Sequence, residues 1–570
     1  MASLLKDGPF DGYVDLMVSS LKDQYQNNFG LYNESEREQF WSKYVHLHDI
    51  LFSCRNSDRD NGSLYDYLLT TKGMLLNTSI SLSKLIESSN DESLIGDFNG
   101  LTEIRKQIAS LEQIPHQVNS NVIDSLRNEA NKIERRLISG SKEYGTYTSG
   151  LTVSWESILS KLKKNETAIE FVEYTDYRSN KDKYSALVLK KGWKYPKFIE
   201  ICDREVIDSL LNAKSEDDYA VRINSLYAES GLYNAVWKSL EGELALGDIV
   251  YFSPSGALHN LSIESVQDYD GICISDKYDL RRVSSTRDIA LGKNDHNFRG
   301  YNSATLYGGI HYDVDVEKMR LNSQTYDYTA TRSMQLERGD TTRSDLVYLR
   351  GTEEEIRKVS QLLQDGNITC TLLKGEMANE ESFKNLSAEN CNILHVATHG
   401  FYLPTDKAEK SDFLKSMPIF APNANGIIQF DPIATSMLRS GLAFAGGNKA
   451  WKGEQVPEGI DDGIATSSEI SNMNLSNTDL IVLSACETGL GEVNDEGVFG
   501  LQRAFKNAGV NTIIMSLWKV NDHITQMMMT SFYAHLLSGK TKRDSFRLAQ
   551  QEISAEYPNP YQWAAFIMLD

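Results

Sequence analysis

The stretch that most constrains the fold is Leu480–Leu483, a continuous apolar run that includes β-branched residues. This composition is typical of a strand buried on both faces of a parallel sheet. Small residues follow the run, and then come Cys486 and two glycines. Open α/β folds place their ligands at the carboxyl edge of the sheet, so we predict that Cys486 stands on a loop at a binding edge.

An earlier stretch, residues 392–396, shows the same buried-strand pattern and is followed by His399 and Gly400. If the two stretches form neighbouring parallel strands, their carboxyl ends meet at one edge of the sheet. The imidazole of His399 and the sulfur of Cys486 would then face each other, as a cysteine nucleophile and its base require. The sequence therefore predicts a Cys–His dyad.

The same residues carry a resemblance to a known family. The dyad motifs are His399-Gly400-Phe401 and the run Ser-Ala-Cys-Glu-Thr-Gly at 484–489; further ordered motifs occupy residues 462–470, 497–505, 516–522 and 563–566. Over about the last 270 residues the chain resembles the CHAT family of caspase-like, separase-related cysteine peptidases, of the type that carries tetratricopeptide repeats. The resemblance implies an α/β caspase-like sandwich with a central, mostly parallel sheet flanked by helices.

Length and pattern divide the chain into three predicted regions, because 570 residues are too many for one core. Residues 1–148 are predicted to be helical, either the tail of a tetratricopeptide-repeat array or a plain helical accessory domain. Residues 149–295 alternate strands and helices, and the resemblance implies a catalytically silent, degenerate caspase-like half. Its most tempting residue, His259, has no thiol nearby in the sequence. Residues 296–570 are the predicted catalytic domain.

Local patterns in the last region predict several elements. Segment 311–345 is charged and patternless, so it should be a surface loop or partly disordered. Thr352 to Glu355 reads as a capping box that opens a helix. Residues 462–470 and 497–508 are each predicted to form a helix, and residues 401–415 a long loop.

Composition limits the classes of ligand. The formal net charge of −21 argues against a nucleic-acid binder, since neutralising phosphates needs clustered Lys and Arg. Six cysteines without paired spacing predict neither a disulfide framework nor a structural zinc. No nucleotide-binding glycine loop occurs, and no cofactor is expected. Without an apolar run of membrane-spanning length or a signal sequence, we expect a cytoplasmic protein that makes no membrane contact.

The predicted dyad works through a thiolate. A nearby imidazole lowers the pKa of a thiol and can carry its proton to the leaving amine. The N–H groups of Gly400 and Cys486 are the predicted oxyanion donors, and the glycine allows close approach of the backbone. No acidic third member is evident. The alternative for Cys486 is a small buried hydrophobe, the commonest role of a free cysteine.

Cys391, His395 and His399 are three potential metal ligands that share one face of the predicted strand. Residues four apart on a strand are about 13 Å apart, too far to share one ion. We therefore expect no metal there and predict that His395 is a core residue.

Two acidic positions are predicted to bind substrate. Asp522 follows the strand predicted at 512–518, at the carboxyl edge of the sheet, and the similarity to separase-like relatives implies that it receives a basic P1 side chain. The alternative is that Asp522 caps the helix that it begins. Asp462, with its neighbour Asp461, is the second candidate and has the same alternative.

The resemblance implies a cysteine endopeptidase that cleaves one or a few protein substrates through an acyl-thioester, after a basic P1 residue. It also implies control by a regulatory protein or ligand through the helical N-terminal region, in bacterial defence or signalling. The alternative is a non-catalytic interaction scaffold that retains the caspase-like fold.

Overall fold

The computed structural model describes residues 12–28, 47–72, 91–112, 120–140, 153–211, 219–292, 300–326, 345–388, 391–402, 437–454, 456–457, 459–485, 491–494 and 497–570. Helices make up the first of these ranges: α1 (Tyr13–Asn28), α2 (Leu47–Ser53), α3 (Asp58–Thr71), α4 (Glu92–Glu112) and α5 (Ser120–Gly140). α4 and α5 pack as a hairpin, and Ala130, Ile133 and Leu137 of α5 are buried in their contact.

A first sheet follows the helices, built from β1 (Glu166–Asp176), β2 (Lys181–Lys190), β3 (Lys197–Asp203), β4 (Ile249–Ser253) and β5 (Asp279–Arg282). Its order is β3-β2-β1-β4-β5, with β1, β4 and β5 parallel. The helices of this part are α6 (Trp155–Lys161), α7 (Arg204–Leu211), α8 (Tyr219–Ala228), α9 (Ser230–Val236), α10 (Lys238–Glu241), α11 (Ile274–Lys277) and α12 (Arg287–Leu291). Short 3₁₀ turns occupy Gly256–Asn260 and Ile263–Ser265.

A buried ion pair fastens the helical region to this sheet. Nζ of Lys72, just after α3, lies 2.9 Å from Oε2 of Glu170 on β1 and donates to the carbonyls of Phe171, Ser253 and Pro254. Burial lowers the pKa of Lys72, and Glu170 opposes that effect. Removing one partner of such a pair leaves the other charge buried and unpaired, which costs about 3–5 kcal/mol. The carboxyl end of β4 is thus occupied by a residue from the helical region.

The second sheet contains both strands that organise the sequence. Its strands are β6 (Ser303–Ile310), β7 (Thr369–Gly375), β8 (Ile393–Val396), β12 (Leu480–Leu483), β15 (Thr512–Ser516) and β16 (Phe566–Leu569). The order is β16-β15-β12-β8-β6-β7, and every pairing is parallel except that of β15 with β16. Helices flank this sheet, so the predicted architecture is confirmed.

Smaller elements surround the second sheet. β9 (Gly400–Tyr402), β10 (Ser440–Ala443) and β11 (Ile464–Thr466) form an antiparallel sheet, and β13 (Gly491–Asn494) pairs with β14 (Gly497–Gly500). The helices are α13 (Val316–Ser323), α14 (Arg350–Asp365), α15 (Glu380–Lys384), α16 (Asn448–Trp451), α17 (Ser467–Ser471), α18 (Leu501–Asn507), α19 (Asp522–Leu537), α20 (Lys542–Glu556) and α21 (Pro560–Trp563), with a 3₁₀ turn at Asn385–Ala388.

The two large sheets meet edge to edge. The N–H of Asp570, just after β16, donates to the carbonyl of Arg282 at the end of β5 over 3.4 Å. Arg543 on α20 bridges the same junction, since it donates to the carbonyl of Leu280 and pairs with the carboxylate of Asp570. One hydrophobic core runs through both sheets.

None of the helices in the described ranges combines the length and the apolar character that a membrane span requires.

Two local predictions before β8 are wrong. The segment predicted as a patternless loop contains α13, which a local cap favours rather than an apolar stripe: Asp315 accepts from the N–H of Lys318. α14 begins at Arg350, before the predicted capping box, and its N-cap makes no side-chain hydrogen bond. Thr352 instead accepts from the N–H of Gly309 and donates to the carbonyl of Leu349.

Three further predictions after β8 need correction. The helix predicted at 462–470 starts with β11, whose pairing with β10 outweighs local propensity, and only then becomes α17. The helix predicted at 497–508 likewise begins as β14. The loop predicted at 401–415 begins inside β9, and its remainder lies outside the described residues.

Candidate active site

The register of β8 against β12 aligns the two proposed catalytic positions. The strands pair in parallel, with Val396 opposite Leu483. His399 is the third residue after Val396, and Cys486 is the third residue after Leu483. Cys486 lies outside the described residues, so its side chain is not located, but the chain is described up to Ala485. Both peptide segments therefore leave the sheet at the same level of the same edge.

A cleft opens at this edge of the sheet. Thr398 and Ala485, the residues immediately before His399 and Cys486, both line it. The other lining residues are Leu349, Thr352, Glu355, Ser484, Ser516, Val520, Asp522, Thr525 and Phe566. They come from α14 with the residue before it, α19, the carboxyl ends of β12 and β15 with the residues that follow them, and the start of the antiparallel β16. The cleft thus lies where the carboxyl ends of parallel strands meet, as the ligand sites of open α/β sheets do.

A backbone carbonyl orients the imidazole of His399. Its Nε2 lies 2.8 Å from the carbonyl oxygen of Val347. A carbonyl can only accept a hydrogen bond, so Nε2 carries the hydrogen and Nδ1 is the basic nitrogen. The ring of Tyr312 packs against the imidazole with 5.0 Å between ring centres, and its hydroxyl lies 2.9 Å from Oγ1 of Thr398. Both contacts limit rotation of His399, and the acceptor is a peptide group rather than a carboxylate.

The electrostatic surroundings of His399 favour a neutral imidazole. Burial lowers its pKa, and the positive charge of Lys519 acts in the same direction. The hydrogen bond to Val347 and the negative charge of Asp522 both raise the pKa. The net effect is a lowered pKa, so the imidazole is neutral at physiological pH and able to accept a proton.

Gly400, the predicted oxyanion donor, begins β9 at the edge of the small antiparallel sheet. The carbonyl of His399 accepts from the N–H of Ala443, 2.9 Å away, so the polar groups of His399 point toward β10. The N–H and C=O groups of successive residues point to opposite sides of a strand. The N–H and C=O groups of Gly400 therefore point away from β10. This leaves the Gly400 N–H at the open edge of β9.

Asp522 lies in the cleft and is exposed. It is the first residue of α19 but not its N-cap, because Asn521 takes that position and accepts from the N–H of His523 over 2.9 Å. α14 approaches closely at Gly351, where a Cβ atom would lie 2.5 Å from the Cβ of Asp522. A glycine at this point leaves room for the aspartate side chain, which is available to a ligand in the cleft.

Asp462 lies elsewhere. It is buried, its Oδ1 accepts from the N–H of Ile464 over 3.0 Å, and it does not line the cleft. Asp461 is buried in an acidic cluster around Lys384, whose Nζ lies 3.2 Å from Asp461 and 2.8 Å from Glu469. The structure thus separates both residues from Asp522, which sequence reasoning had grouped with them.

This cluster makes stability depend on pH. Burial raises the pKa of Asp461 from 3.8 to about 8; Lys384 opposes this effect, and Glu381 and Glu469 add to it. A raised pKa in a carboxyl group stabilises the fold below pH 3.8, and that contribution is lost as the pH rises toward about 8. Asp461→Asn should therefore raise the melting temperature more at about pH 8.5 than at about pH 5, by roughly 2–4 °C. Thermal unfolding at both pH values checks this; an equal change at both would contradict it.

Cys391, His395 and His399 engage separate partners. Sγ of Cys391 donates to the carbonyl of Ile393, and His399 contacts Val347. His395 is fully buried, with Nε2 2.8 Å from Oε1 of Glu355 and Nδ1 3.2 Å from the hydroxyl of Tyr533. The prediction that His395 is a core residue is confirmed. Within the described ranges, no cluster of His, Cys, Asp and Glu has the arrangement of a metal site.

Sequence reasoning missed the groups that position the site residues. The carbonyl of Val347 gives no signal, since every residue has one. Gly351 on α14 and Asp522 on α19 are far apart in the sequence, so no local pattern indicates their close approach. Glu355 was assigned to a capping box, and a buried carboxylate that pairs with a histidine from another element has no local pattern.

The fold and the cleft define a mixed α/β protein with a candidate cysteine–histidine site at the edge of its main sheet. A sequence model described as the CHAT domain matches residues 229–569, more than half of the chain. The chain therefore belongs to the CHAT domain family, and the predicted resemblance is confirmed. The match begins within the first sheet region, between α8 and α9.

Curated relatives and solved structures add context. Tetratricopeptide repeat protein 28 of mouse is 26% identical over 227 residues, and the human protein is 25% identical over 228; each match covers 38% of this chain and 8% of the relative. The Arg-specific cysteine proteinase gingipain R matches at 8% identity and a TM-score of 0.33, over 62% of this chain and 68% of its own. The Saccharomyces cerevisiae separase–securin complex matches at 8% identity and a TM-score of 0.42, over 82% of this chain and 36% of the matched chain. Similarity at this level transfers neither an activity nor a residue role.

Proposed function

We propose that this chain is a cysteine endopeptidase in which His399 activates Cys486. The observation that carries the proposal is the parallel pairing of Val396 with Leu483, since each proposed catalytic residue follows its strand by the same number of residues. Thr398 and Ala485, which line one cleft, support the same juxtaposition. The family membership agrees with a peptidase but does not by itself establish one.

The geometry supports a two-step mechanism. Nδ1 of His399 takes the proton of the Cys486 thiol, and the sulfur attacks the carbonyl carbon of the scissile peptide. The N–H groups of Gly400 and Cys486 donate to the oxyanion that forms. His399 then gives its proton to the leaving amine, and the acyl-thioester remains on the sulfur. Water, deprotonated by His399, releases the second product and restores the thiol.

Asp522 is the proposed base of the pocket for the P1 side chain. Its side chain is exposed in the cleft, and Asn521 rather than Asp522 caps α19. The peptide bond that would be cleaved is uncharged, so the negative charge of Asp522 would act on a side chain of the substrate. A lysine or arginine side chain would form a charge-assisted bond with it. Asp462 is buried away from the cleft and has no part in the proposal.

Control through the helical region is part of the proposal. Lys72 donates to the carbonyls of Ser253 and Pro254, directly before the 3₁₀ turn Gly256–Asn260. That turn contacts the β13–β14 hairpin, which begins five residues after Cys486. When a protein or ligand shifts α3, these contacts would transmit the movement to the β13–β14 hairpin, which follows the proposed nucleophile in the chain.

Identification of new protein N-termini tests the function. Wild-type protein and Cys486→Ala are each incubated with lysate of the host organism, and new N-termini are labelled and sequenced. We expect a small set that appears with wild type alone, each following Arg or Lys. If both proteins give the same termini, and neither reacts with a peptidyl acyloxymethyl ketone that carries Arg at P1, the chain is a scaffold rather than a peptidase.

A further inference from the structure

Asn448, the first residue of α16, binds the backbone of Leu346, the residue next to the carbonyl acceptor of His399. Its side chain is almost completely buried, with a relative exposure of 1% for the residue. Oδ1 accepts from the N–H of Leu346 over 2.8 Å, and Nδ2 donates to the carbonyl of Leu346 over 3.0 Å. One amide thus satisfies both backbone groups of one residue, as a neighbouring β-strand would.

Asn448 also joins the Leu346 segment to the rest of the site. Its own N–H donates to the carbonyl of Tyr312 over 3.1 Å, and the ring of Tyr312 packs on His399. A single residue therefore connects two groups that contact the imidazole: the ring of Tyr312 and, through Leu346, the carbonyl of Val347.

Val347 contributes little of its own to this geometry. The residue is 60% exposed, so packing of its side chain does not fix the direction of its carbonyl. The neighbouring anchor, the ion pair between Asp345 and Lys452 (2.9 Å), has exposed or half-exposed partners and is worth little in water. On the other side, α14 begins at Arg350. The bidentate bond from Asn448 is the buried anchor nearest to the carbonyl that holds His399.

We propose that Asn448 is a positioning residue of the peptidase: by clamping the backbone of Leu346, it keeps the Val347 carbonyl on Nε2 of His399 and so keeps Nδ1 directed for proton transfer. The inference rests on the proposed function. Without the clamp, Nε2–H loses a fixed acceptor and the imidazole can rotate out of its productive orientation. Misplacing a catalytic group by about 1 Å can lower a rate by about 10²-fold.

Loss of the clamp should also change how the site titrates. The Val347 carbonyl stabilises the protonated imidazole, while Lys519 opposes it and Asp522 favours it; Tyr312 contacts the ring. The acid limb of the pH–rate profile reports protonation of the neutral imidazole, so loss of a hydrogen bond that raises the pKa of His399 moves this limb to lower pH. A residue that only supports the fold would lower the rate without moving the acid limb.

The test measures kcat and KM of Asn448→Ala and Asn448→Asp across the pH range, with a peptide that wild type cleaves. Asn448→Asp preserves the shape and the acceptor for the Leu346 N–H, but sets an oxygen against the Leu346 carbonyl. The control is Lys452→Ala, which removes the exposed anchor of the same segment. We expect kcat to fall about 10²-fold in both Asn448 variants, with the acid limb of the pH–rate profile moved to lower pH and KM nearly unchanged, and to change less than about twofold in the control.

The outcomes separate this inference from the proposed function. If the wild-type protein neither cleaves peptides nor reacts with the peptidyl acyloxymethyl ketone, the proposed function is wrong. The positioning role of Asn448 is then wrong with it. If wild type is active and both folded Asn448 variants keep its rate, or lose rate with an unchanged pH profile, the positioning role is overturned. Where Asn448→Ala does not fold, the isosteric Asn448→Asp decides alone.

Discussion

Cys486→Ala and His399→Ala are each expected to lower kcat/KM for peptide cleavage by about 10⁴-fold or more. The reason is that the thiolate and its proton carrier act as a unit, so either loss removes covalent catalysis. For the same reason the double variant should be hardly worse than either single one. Steady-state kinetics on a peptide with Arg at P1 measure all three.

Cys370→Ser is the matched control for these variants. Burial raises the pKa of the Cys370 thiol, which is half-buried on β7 and contacts the carbonyls of Ile368 and Ser360. It should therefore be a neutral thiol without a catalytic role, and its replacement should leave kcat/KM unchanged. Residual activity of Cys486→Ala near the wild-type level would show that another group performs the reaction.

Asp522→Ala is expected to reduce cleavage after Arg or Lys by about 10²-fold, since a charge-assisted hydrogen bond contributes about 1.5–3 kcal/mol. The loss should appear in kcat/KM for basic P1 residues and be much smaller for a peptide with a neutral P1 residue. Reaction of Cys486 with a small alkylating reagent should be unchanged, because that reagent does not use the pocket. An unaltered P1 preference in a panel of matched peptides would discard the pocket assignment.

Gly351→Ala should alter the same pocket from α14, the helix that approaches Asp522. The added Cβ would lie 2.5 Å from that of Asp522, so the aspartate must move. No rotamer change moves the Cβ of Asp522, so α14 and α19 must separate, which costs about 1–3 kcal/mol and is only partly offset by the better helix propensity of alanine. We therefore expect a weakened preference for basic P1 residues together with a modest loss of stability. A P1 preference like that of wild type would place the basic-side-chain site away from Asp522.

The strands of the main sheet could be predicted because their signal is local. Leu480–Leu483 is a short apolar run and Ile393–Val396 is apolar except for His395; both patterns are typical of a strand covered on two faces, and both strands are found. The adjacency of His399 to the segment that carries Cys486 follows from one further assumption, that the strands are neighbours. The pairing of β8 with β12 confirms that assumption.

Other features could not be read from the sequence because they depend on contacts between distant residues. Asp462 has the same residue type as Asp522 and also precedes a helical segment, yet one is buried and the other exposed in the cleft. The difference lies in where β11 and α19 pack, which local pattern does not specify. The roles of Val347 and Asn448 are likewise set by a backbone hydrogen-bond network, for which residue type is a weak signal.

The most direct test of the dyad is the rate at which iodoacetamide alkylates each cysteine, resolved by mass spectrometry from about pH 5 to 9 in wild type and in His399→Ala. Burial raises the thiol pKa of Cys54, Cys202, Cys273 and Cys370, so these should react slowly at about pH 6. We predict that Cys486 of wild type still reacts there, at least about tenfold faster than Cys486 of His399→Ala, because imidazolium stabilises the thiolate. Identical pH–rate curves for Cys486 in the two proteins would contradict the dyad.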